Sequence, residues 1–377
     1  MIRTFRYPLY PTESQAATLV AWIEASRQLY NAALQERRDA WDKNRVSISR
    51  FDQGQSLTEI RDFDPVYRAV PSVVSDEVLQ RVDRSFQAFF GRCARGSKPG
   101  FPRFKSASGY ESIGFRQDAR KPSRVREGGI AIPKLGAVEA NIYRPVRGTP
   151  FEFRIRRVPS GRWFVSVSCD VGEAPAKVPV RKAVGVDLGL KSFMVTSDGR
   201  AVENPKYFVA GEEVLARRQQ KLVRKRRGSN GHVKAKLLVA KAYERVANQR
   251  LDHSRKLAAE LYSEFDLVAY EDLDIRGLKE HGKASEKSIN DAAWGQFLRC
   301  LTSKAENAGK WAVPVDPRGT SQRCSQCGAM VTKTLAERVH RCACGFIADR
   351  DHNAALNVLA LGTSAVRLAE AEKAVSR

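Results

Sequence analysis

Apolar positions along the chain follow two periods, and the changes between them divide it. After a short opening strand, Thr12 with Gln15 three residues on forms a capping box, and Leu19, Ile23 and Tyr30 follow at helical spacing, which predicts a helix. Ser75-Asp76-Glu77 introduces a second helix with Val78, Val82, Phe86 and Phe89 on one face, so residues 12 to 92 read as a helical segment. Between 129 and 171 the period becomes two: Phe151, Phe153 and Ile155 alternate with Glu152, Arg154 and Arg156. Pro159-Ser160-Gly161 then turns the chain into Trp163, Val165, Val167 and Cys169, and a β-rich module is expected. Residues 211 to 262 return to helical character.

Charge changes what these elements are expected to face. The 377 residues are 42% apolar, enough for a sizeable core in two or three domains, yet carry 65 Lys plus Arg against 42 Asp plus Glu, a formal charge of +23. Such a surface repels itself unless a polyanion covers it, which points to nucleic acid, although ribosome-associated and membrane-surface proteins share the composition. Gly96-Ser97-Lys98-Pro99-Gly100-Phe101-Pro102-Arg103-Phe104-Lys105 cannot continue a helix and sets cations beside aromatic rings. It reads as a nucleic-acid-touching loop or as an ordinary basic linker. Arg217, Arg218, Lys221, Arg224, Lys225, Arg226 and Arg227 crowd one stretch, with no acid from Ala216 to Val239. A solvated helix face normally interleaves acids, so a phosphate-contacting helix is favoured here. Lys98, Arg103, Lys105, Arg224 and Arg226 are the candidate contacts. No apolar run of about 18 residues occurs, and the N-terminus lacks the apolar core of a secretion signal, so a cytoplasmic protein is expected.

Candidate chemistry lies in the second half. Ala183-Val184-Gly185-Val186-Asp187 is a strand ending in a carboxylate, returned as a hairpin by Phe193-Met194-Val195-Thr196 and the turn Ser197-Asp198-Gly199. Phe265 to Leu273 repeats the idea, delivering Glu271 at a strand end, and Asp349-Arg350-Asp351 sets acids at the N-terminus of an alanine-rich helix, where the dipole favours them. One acid at a strand end or a cap is commonplace; three such acids suit phosphodiester hydrolysis by two hard divalent ions, Mg²⁺ or Mn²⁺, which needs several carboxylate oxygens at one point. Asp187 is the expected bridging ligand.

Cys324-Ser325-Gln326-Cys327-Gly328 and Cys342-Ala343-Cys344-Gly345 are two knuckles 14 residues apart, as a tetrahedral four-thiolate zinc site requires. His340 could replace one cysteine, but four thiolates already close the shell, and a structural ion is expected. Cys93, Cys169 and Cys300 read as core residues. Val184-Gly185-Val186-Asp187-Leu188-Gly189 also resembles the phosphate-holding strand of actin-like ATPases and sugar kinases. The basic excess, the cysteine cluster and the lack of a later Gly-rich nucleotide loop oppose that reading.

Together these segments resemble the TnpB family of insertion-sequence proteins, relatives of type V CRISPR effectors, over nearly the whole chain. The resemblance rests on the early Tyr-Pro-Thr-Glu-Ser-Gln stretch, Pro99 to Lys105, Val186 to Gly189, Asn248-Gln249-Arg250, Tyr270-Glu271-Asp272-Leu273, Thr320-Ser321, and Asp349 to Ala355, in matching order. It implies an RNA-guided DNA endonuclease in which a transposon-derived guide RNA pairs with double-stranded target DNA, the protein reads a short adjacent motif, and one RuvC site cuts both strands. It further implies a nuclease triad of Asp187, Glu271 and Asp351 and a zinc ribbon of Cys324, Cys327, Cys342 and Cys344, with Mg²⁺ (or Mn²⁺) and Zn²⁺ as cofactors and a monomeric protein in the RNA complex. An RNA-guided repressor without cleavage is the alternative, since some relatives have lost triad acids and this chain retains all three; a transposition-associated accessory protein is another. The expected fold is an α/β RNase H-like (RuvC) nuclease domain with an inserted zinc ribbon, plus an N-terminal β-barrel-like wedge with a helical recognition segment. The expected boundaries are 1–180 for the wedge, 181–323 and 347–361 for the nuclease, 324–346 for the ribbon and 362–377 for a C-terminal tail.

Overall fold

A computed structural model describes residues 1–117, 124–274, 293–334 and 337–375, so positions 335 and 336 of the expected ribbon and the last two of the expected tail lie outside it. The chain divides into two compact units, Met1–Glu173 and Ala174–Arg377.

The first unit joins a sheet to a set of helices. Strand β1 (Ile2–Tyr10) runs into α1 (Glu13–Asn44), whose start is fixed by the expected capping box: Thr12 accepts from the Gln15 backbone, and Gln15 returns the bond to Thr12. Helices α2 (Arg50–Phe63) and α3 (Pro65–Ala69) precede α4 (Ser72–Ala94), which begins directly after Pro71, a residue that cannot donate a helical hydrogen bond. Strands β2 (Ser112–Arg116), β3 (Val125–Arg126), β4 (Gly129–Ile132), β5 (Gly136–Ala140), β6 (Thr149–Arg157) and β7 (Trp163–Asp170) complete an antiparallel seven-stranded sheet in the order β2-β6-β7-β1-β5-β4-β3. Its period-two residues Phe5, Tyr7, Phe153, Ile155, Val165 and Val167 are buried with Leu19 and Trp22 of α1. Among the described residues no pairing closes β2 onto β3.

The second unit is a sheet covered on both faces. Strands β8 (Ala183–Asp187), β9 (Ser192–Thr196) and β10 (Ala201–Glu203) form an antiparallel meander; two long helices, α5 (Tyr207–Val223) and α6 (Asn230–Glu264), lead to β11 (Leu267–Glu271), α7 (Trp294–Ala308) and β12 (Trp311–Val315). The order is β10-β9-β8-β11-β12, with β8, β11 and β12 parallel, which makes the sheet mixed. A small hairpin, β13 (Val339–Arg341) and β14 (Ile347–Asp349), precedes the last helix, α8 (Arg350–Val375).

Alternation sorts β11 between two cores. Val268 and Tyr270 pack with Leu257, Leu261, Phe297 and Leu301 of α6 and α7, whereas Leu267 and Ala269 pack with Val358 and Val366 of α8. Both faces are therefore apolar, which is why the strand reads as an unbroken hydrophobic run.

Two expectations differ from the structure. The basic run is not one helix: α5 ends at Val223, and Ser229 caps α6 by accepting from His232, so Arg224 to Arg227 sit in the turn between them. The last helix runs through Gly362 to Val375; a side chain at Gly362 would meet Ala269, so the glycine serves close helix-to-sheet packing. Cys93 is exposed near the end of α4 rather than buried, whereas Cys169 is buried and Cys300 packs beside the second unit's core. No helix among the described residues is long and apolar enough to cross a membrane.

Candidate active site

The strand register fixes where two of the three acids point. Leu267 to Tyr270 of β11 pair with Ala183 to Val186 of β8, so the next position on each strand brings Glu271 beside Asp187. Parity then gives the face: Gly185 and Ala269 lie on the α8 side, and Asp187 and Glu271, two residues further, must lie there too. Helix α8 starts on that side. Asp349 accepts from the backbone N–H groups of Asp351 (2.8 Å) and His352 (3.4 Å), which makes it the helix cap and leaves Asp351 in the first turn at the positive end of the dipole.

Electrostatics show the three acids within each other's fields. Burial pushes the Asp187 carboxyl well above the usual range, and the Glu271 and Asp351 carboxylates push it further. Glu271 is 7% exposed and is also raised by burial, with the Thr320 hydroxyl bond opposing and Asp351 adding to the rise. Asp351 lies 3.8 Å from the Arg338 guanidinium. Hard oxygen donors that repel one another in a partly buried cleft are what divalent cations neutralise, so the donor set fits Mg²⁺ or Mn²⁺. The acids are more widely spread than the thiolates below: among the described residues only the cysteines bring their ligand atoms within 4.8 Å of one another.

Those four cysteines are Cys324, Cys327, Cys342 and Cys344. Sγ of Cys324 lies 3.8 Å from that of Cys344, and Sγ of Cys327 lies 3.5 Å from that of Cys342. A tetrahedron with metal–sulfur bonds of about 2.3 Å has edges of about 3.8 Å, so the donor set fits zinc. Gly328 (φ 78°) and Gly345 (φ 92°) supply the left-handed residues that turn each knuckle. Burial raises the Cys324 thiol, but the Cys327 and Gln326 N–H groups and the His340 ring outweigh it and bring it down to about 6, favouring the thiolate a metal needs.

Three partners were not singled out by pattern or period. Thr320 Oγ1 donates to Glu271 Oε1 at 2.5 Å. Asn353 and Asn357, one turn apart on α8, are buried and bind the backbone between Thr320 and Ser325. Thr320 and Asn353 fall inside motifs quoted for the family resemblance, but a buried Asn or Thr has no periodic signature by which its partner could be found.

The candidate nucleic-acid contacts divide. In the first unit Lys98 and Arg103 are exposed and line an open groove with Arg38, Phe101 and Phe104. Lys105 is half-buried, its Nζ 5.7 Å over the Tyr30 ring and its backbone N–H bonded to Asn31. In the second unit Arg224 and Arg226 are exposed in the α5–α6 turn, whereas Arg218 is used internally, donating to the Leu238 carbonyl at 2.7 Å.

Residues 166–281 match a family described as "Probable transposase", residues 294–358 one described as "Cas12f1-like, TNB domain", and residues 1–45 one described as "Helix-turn-helix domain", a span that here holds β1 and the single long helix α1. The chain is 33% identical over 370 residues to a Streptomyces pristinaespiralis protein named "Putative RNA-guided DNA endonuclease", covering 96% of this chain and 90% of that one. It is 25% identical over 387 residues to the Escherichia coli (strain K12) protein named "Putative RNA-guided DNA endonuclease InsQ", covering 98% and 94%. Its fold resembles that of the protein in "Cryo-EM structure of the Cas12f1-sgRNA-target DNA complex", with a TM-score of 0.57 at 15% identity over 92% of this chain and 83% of that one.

Proposed function

Since the chain belongs to the TnpB family of insertion-sequence proteins, we propose that it is an RNA-guided DNA endonuclease whose one RuvC-type centre, Asp187, Glu271 and Asp351, hydrolyses both strands of a target duplex. The observation that carries this reading is the shared face: β8, β11 and the first turn of α8 direct three acids to one side of a mixed sheet, an arrangement suited to an RNase H-like nuclease domain. When bound, a pair of divalent ions supplies an activated water and a stabilised leaving oxygen. Asp187, whose carboxyl feels the charges of both Glu271 and Asp351, would hold such ions together with those two acids. The burial that raises the Asp187 and Glu271 carboxyls would also limit bulk water at a phosphate bound there.

Sequence recognition belongs on this reading to base pairing between guide RNA and target strand, with the protein holding duplex shape and a short adjacent motif. The basic groove of Lys98 and Arg103 and the turn of Arg224 and Arg226 supply backbone contacts. The first unit serves as the wedge and recognition lobe, the second as the nuclease, and residues 324–346 as a zinc ribbon of structural role.

The test is cleavage of a matching linear duplex by the RNA complex in Mg²⁺. Asp187→Ala, Glu271→Ala and Asp351→Ala each leave guide and target binding intact and reduce cutting below detection. Wild-type protein that binds its target and leaves it whole would move the assignment to an RNA-guided repressor.

A further inference from the structure

The segment between β12 and the first cysteine knuckle is held at both ends of its function. At one end Thr320, 4% exposed, donates its hydroxyl to Glu271 Oε1 at 2.5 Å, with the same oxygen 2.9 Å from the Pro317 carbonyl. At the other, Ser325 follows Cys324 directly and donates its N–H to Asn353 Oδ1 at 3.0 Å. Between them, Asn357 Nδ2 donates to the Thr320 carbonyl (2.8 Å) and the Arg323 carbonyl (2.7 Å), and Asn353 Nδ2 donates to the Arg323 carbonyl (2.8 Å). Asn353 is wholly buried and Asn357 7% exposed. Buried amides and carbonyls that lose a partner suffer the full desolvation cost, so this run of bonds resists being broken piecemeal.

Its location matters more than its strength. Asn353 and Asn357 stand on α8, the helix whose first turn carries Asp351; Thr320 reaches Glu271 on β11; Cys324 belongs to the thiolate cluster. One side-chain ladder therefore joins Glu271 and the first cysteine knuckle to the helix that carries Asp351. Helix packing against the sheet alone would leave the Glu271 carboxylate free to rotate about its own side-chain torsions, and the threonine hydroxyl removes that freedom by fixing one oxygen.

We propose that Thr320 is a positioning residue for Glu271, and that Asn353 and Asn357 tie it to the segment of the first cysteine knuckle, which thereby holds Glu271 in register with the helix that carries Asp351. This rests on the nuclease reading above. The ribbon is on this account part of the active-site support and not only a fold-stabilising appendage.

The experiment compares Thr320→Val, which keeps the shape and deletes the hydroxyl, with Thr320→Ser, which restores a donor. Removing a partner that orients a metal ligand typically costs about 10–100-fold in metal affinity or activity. Single-turnover cleavage at saturating guide and target should fall by that factor in Thr320→Val and recover to within about threefold in Thr320→Ser, with zinc content and guide affinity unchanged in both. Asn357→Ala should reproduce the loss although it touches none of the acids. A second readout is independent of cutting: the rise in Tm of the zinc-loaded full-length chain on titration with Mn²⁺, with Asp187→Ala as the variant lacking the site. The Mn²⁺ midpoint should move to higher concentration in Thr320→Val and return in Thr320→Ser. Wild type and Thr320→Val cutting equally well with equal Mn²⁺ midpoints overturns the inference and leaves the nuclease reading standing; a wild type that never cuts overturns the nuclease reading and the inference with it.

Discussion

Gly185 is the point at which the geometry of the centre is most exposed to a single methyl group. It lies in β8 two residues before Asp187, and α8 passes over it so closely that a Cβ would lie 2.5 Å from Leu359 N, 2.9 Å from Leu359 Cβ, and nearer still to the Ala355 carbonyl. Comfortable separations between such atoms are about 3.5–4.0 Å, so Gly185→Ala requires α8 to retreat from β8 by about 1 Å. The neighbours on the helix are two backbone atoms and a Cβ, none of which can rotate away. Overpacking a core against immovable groups costs about 2–3 kcal/mol, which for a unit of this size lowers Tm by about 4–12 °C. The functional effect is larger, because the helix that retreats carries Asp351 while the strand it leaves carries Asp187. A misplacement of about 1 Å between reacting groups can cost about 100-fold in rate. Purified Gly185→Ala should therefore keep guide binding, melt earlier, and cut a matched duplex about 100-fold more slowly in single turnover at a temperature below both melting points. Wild-type cutting by a variant with an unchanged Tm would refute the claim that this contact sets the spacing of the acids.

Further outcomes follow from charge and metal. Asp187 and Glu271 have folded-state values raised above their unfolded ones, so their contribution to stability is present below about pH 4 and is lost as pH rises through the raised values. In chelator, Asp187→Asn should therefore gain Tm over wild type increasingly as pH rises above about 4; a difference independent of pH contradicts the burial of that charge. The purified chain should carry one zinc by elemental analysis, and Cys327→Ser should lose it and melt earlier, because binding to four thiolates is itself folding free energy. A chain with less than about one zinc in five molecules would remove the ribbon's ion. Arg103→Ala should lower the slope of log affinity against log salt by about 0.9 and weaken all duplex sequences alike, and an unchanged slope removes Arg103 from the contacts.

Much of this architecture was legible because it is written in short-range patterns. The Thr12–Gln15 capping box, the alternation of Phe151 to Cys169 and the knuckle spacing of Cys324 to Cys344 each depend on residues close in sequence, and the structure carries all three. The acids were visible as strand ends and a helix start, and the parity of β8 and β11 sends Asp187 and Glu271 to the α8 side. What escaped depends on approach between distant elements. Gly185 and Gly362 are glycines because α8 lies against β8 and β11, a fact that no window of one element contains. Thr320, Asn353 and Asn357 act by bonds across 28 to 49 residues of sequence. The basic run of Arg217 to Arg227 misled because composition cannot show where a new N-cap, Ser229, starts the next helix.

The central claim is guided cutting by one carboxylate centre, and it is tested most directly on supercoiled plasmid carrying the target and adjacent motif. The chain is purified with its co-expressed locus RNA, the RNA is sequenced, and wild type and Asp187→Ala are compared in Mg²⁺ with matched and scrambled guides. The account predicts linear product only with wild-type protein and the matched guide, and intact plasmid with Asp187→Ala despite equal RNA content. Linear product from Asp187→Ala, or a purified chain that carries no RNA, would contradict it.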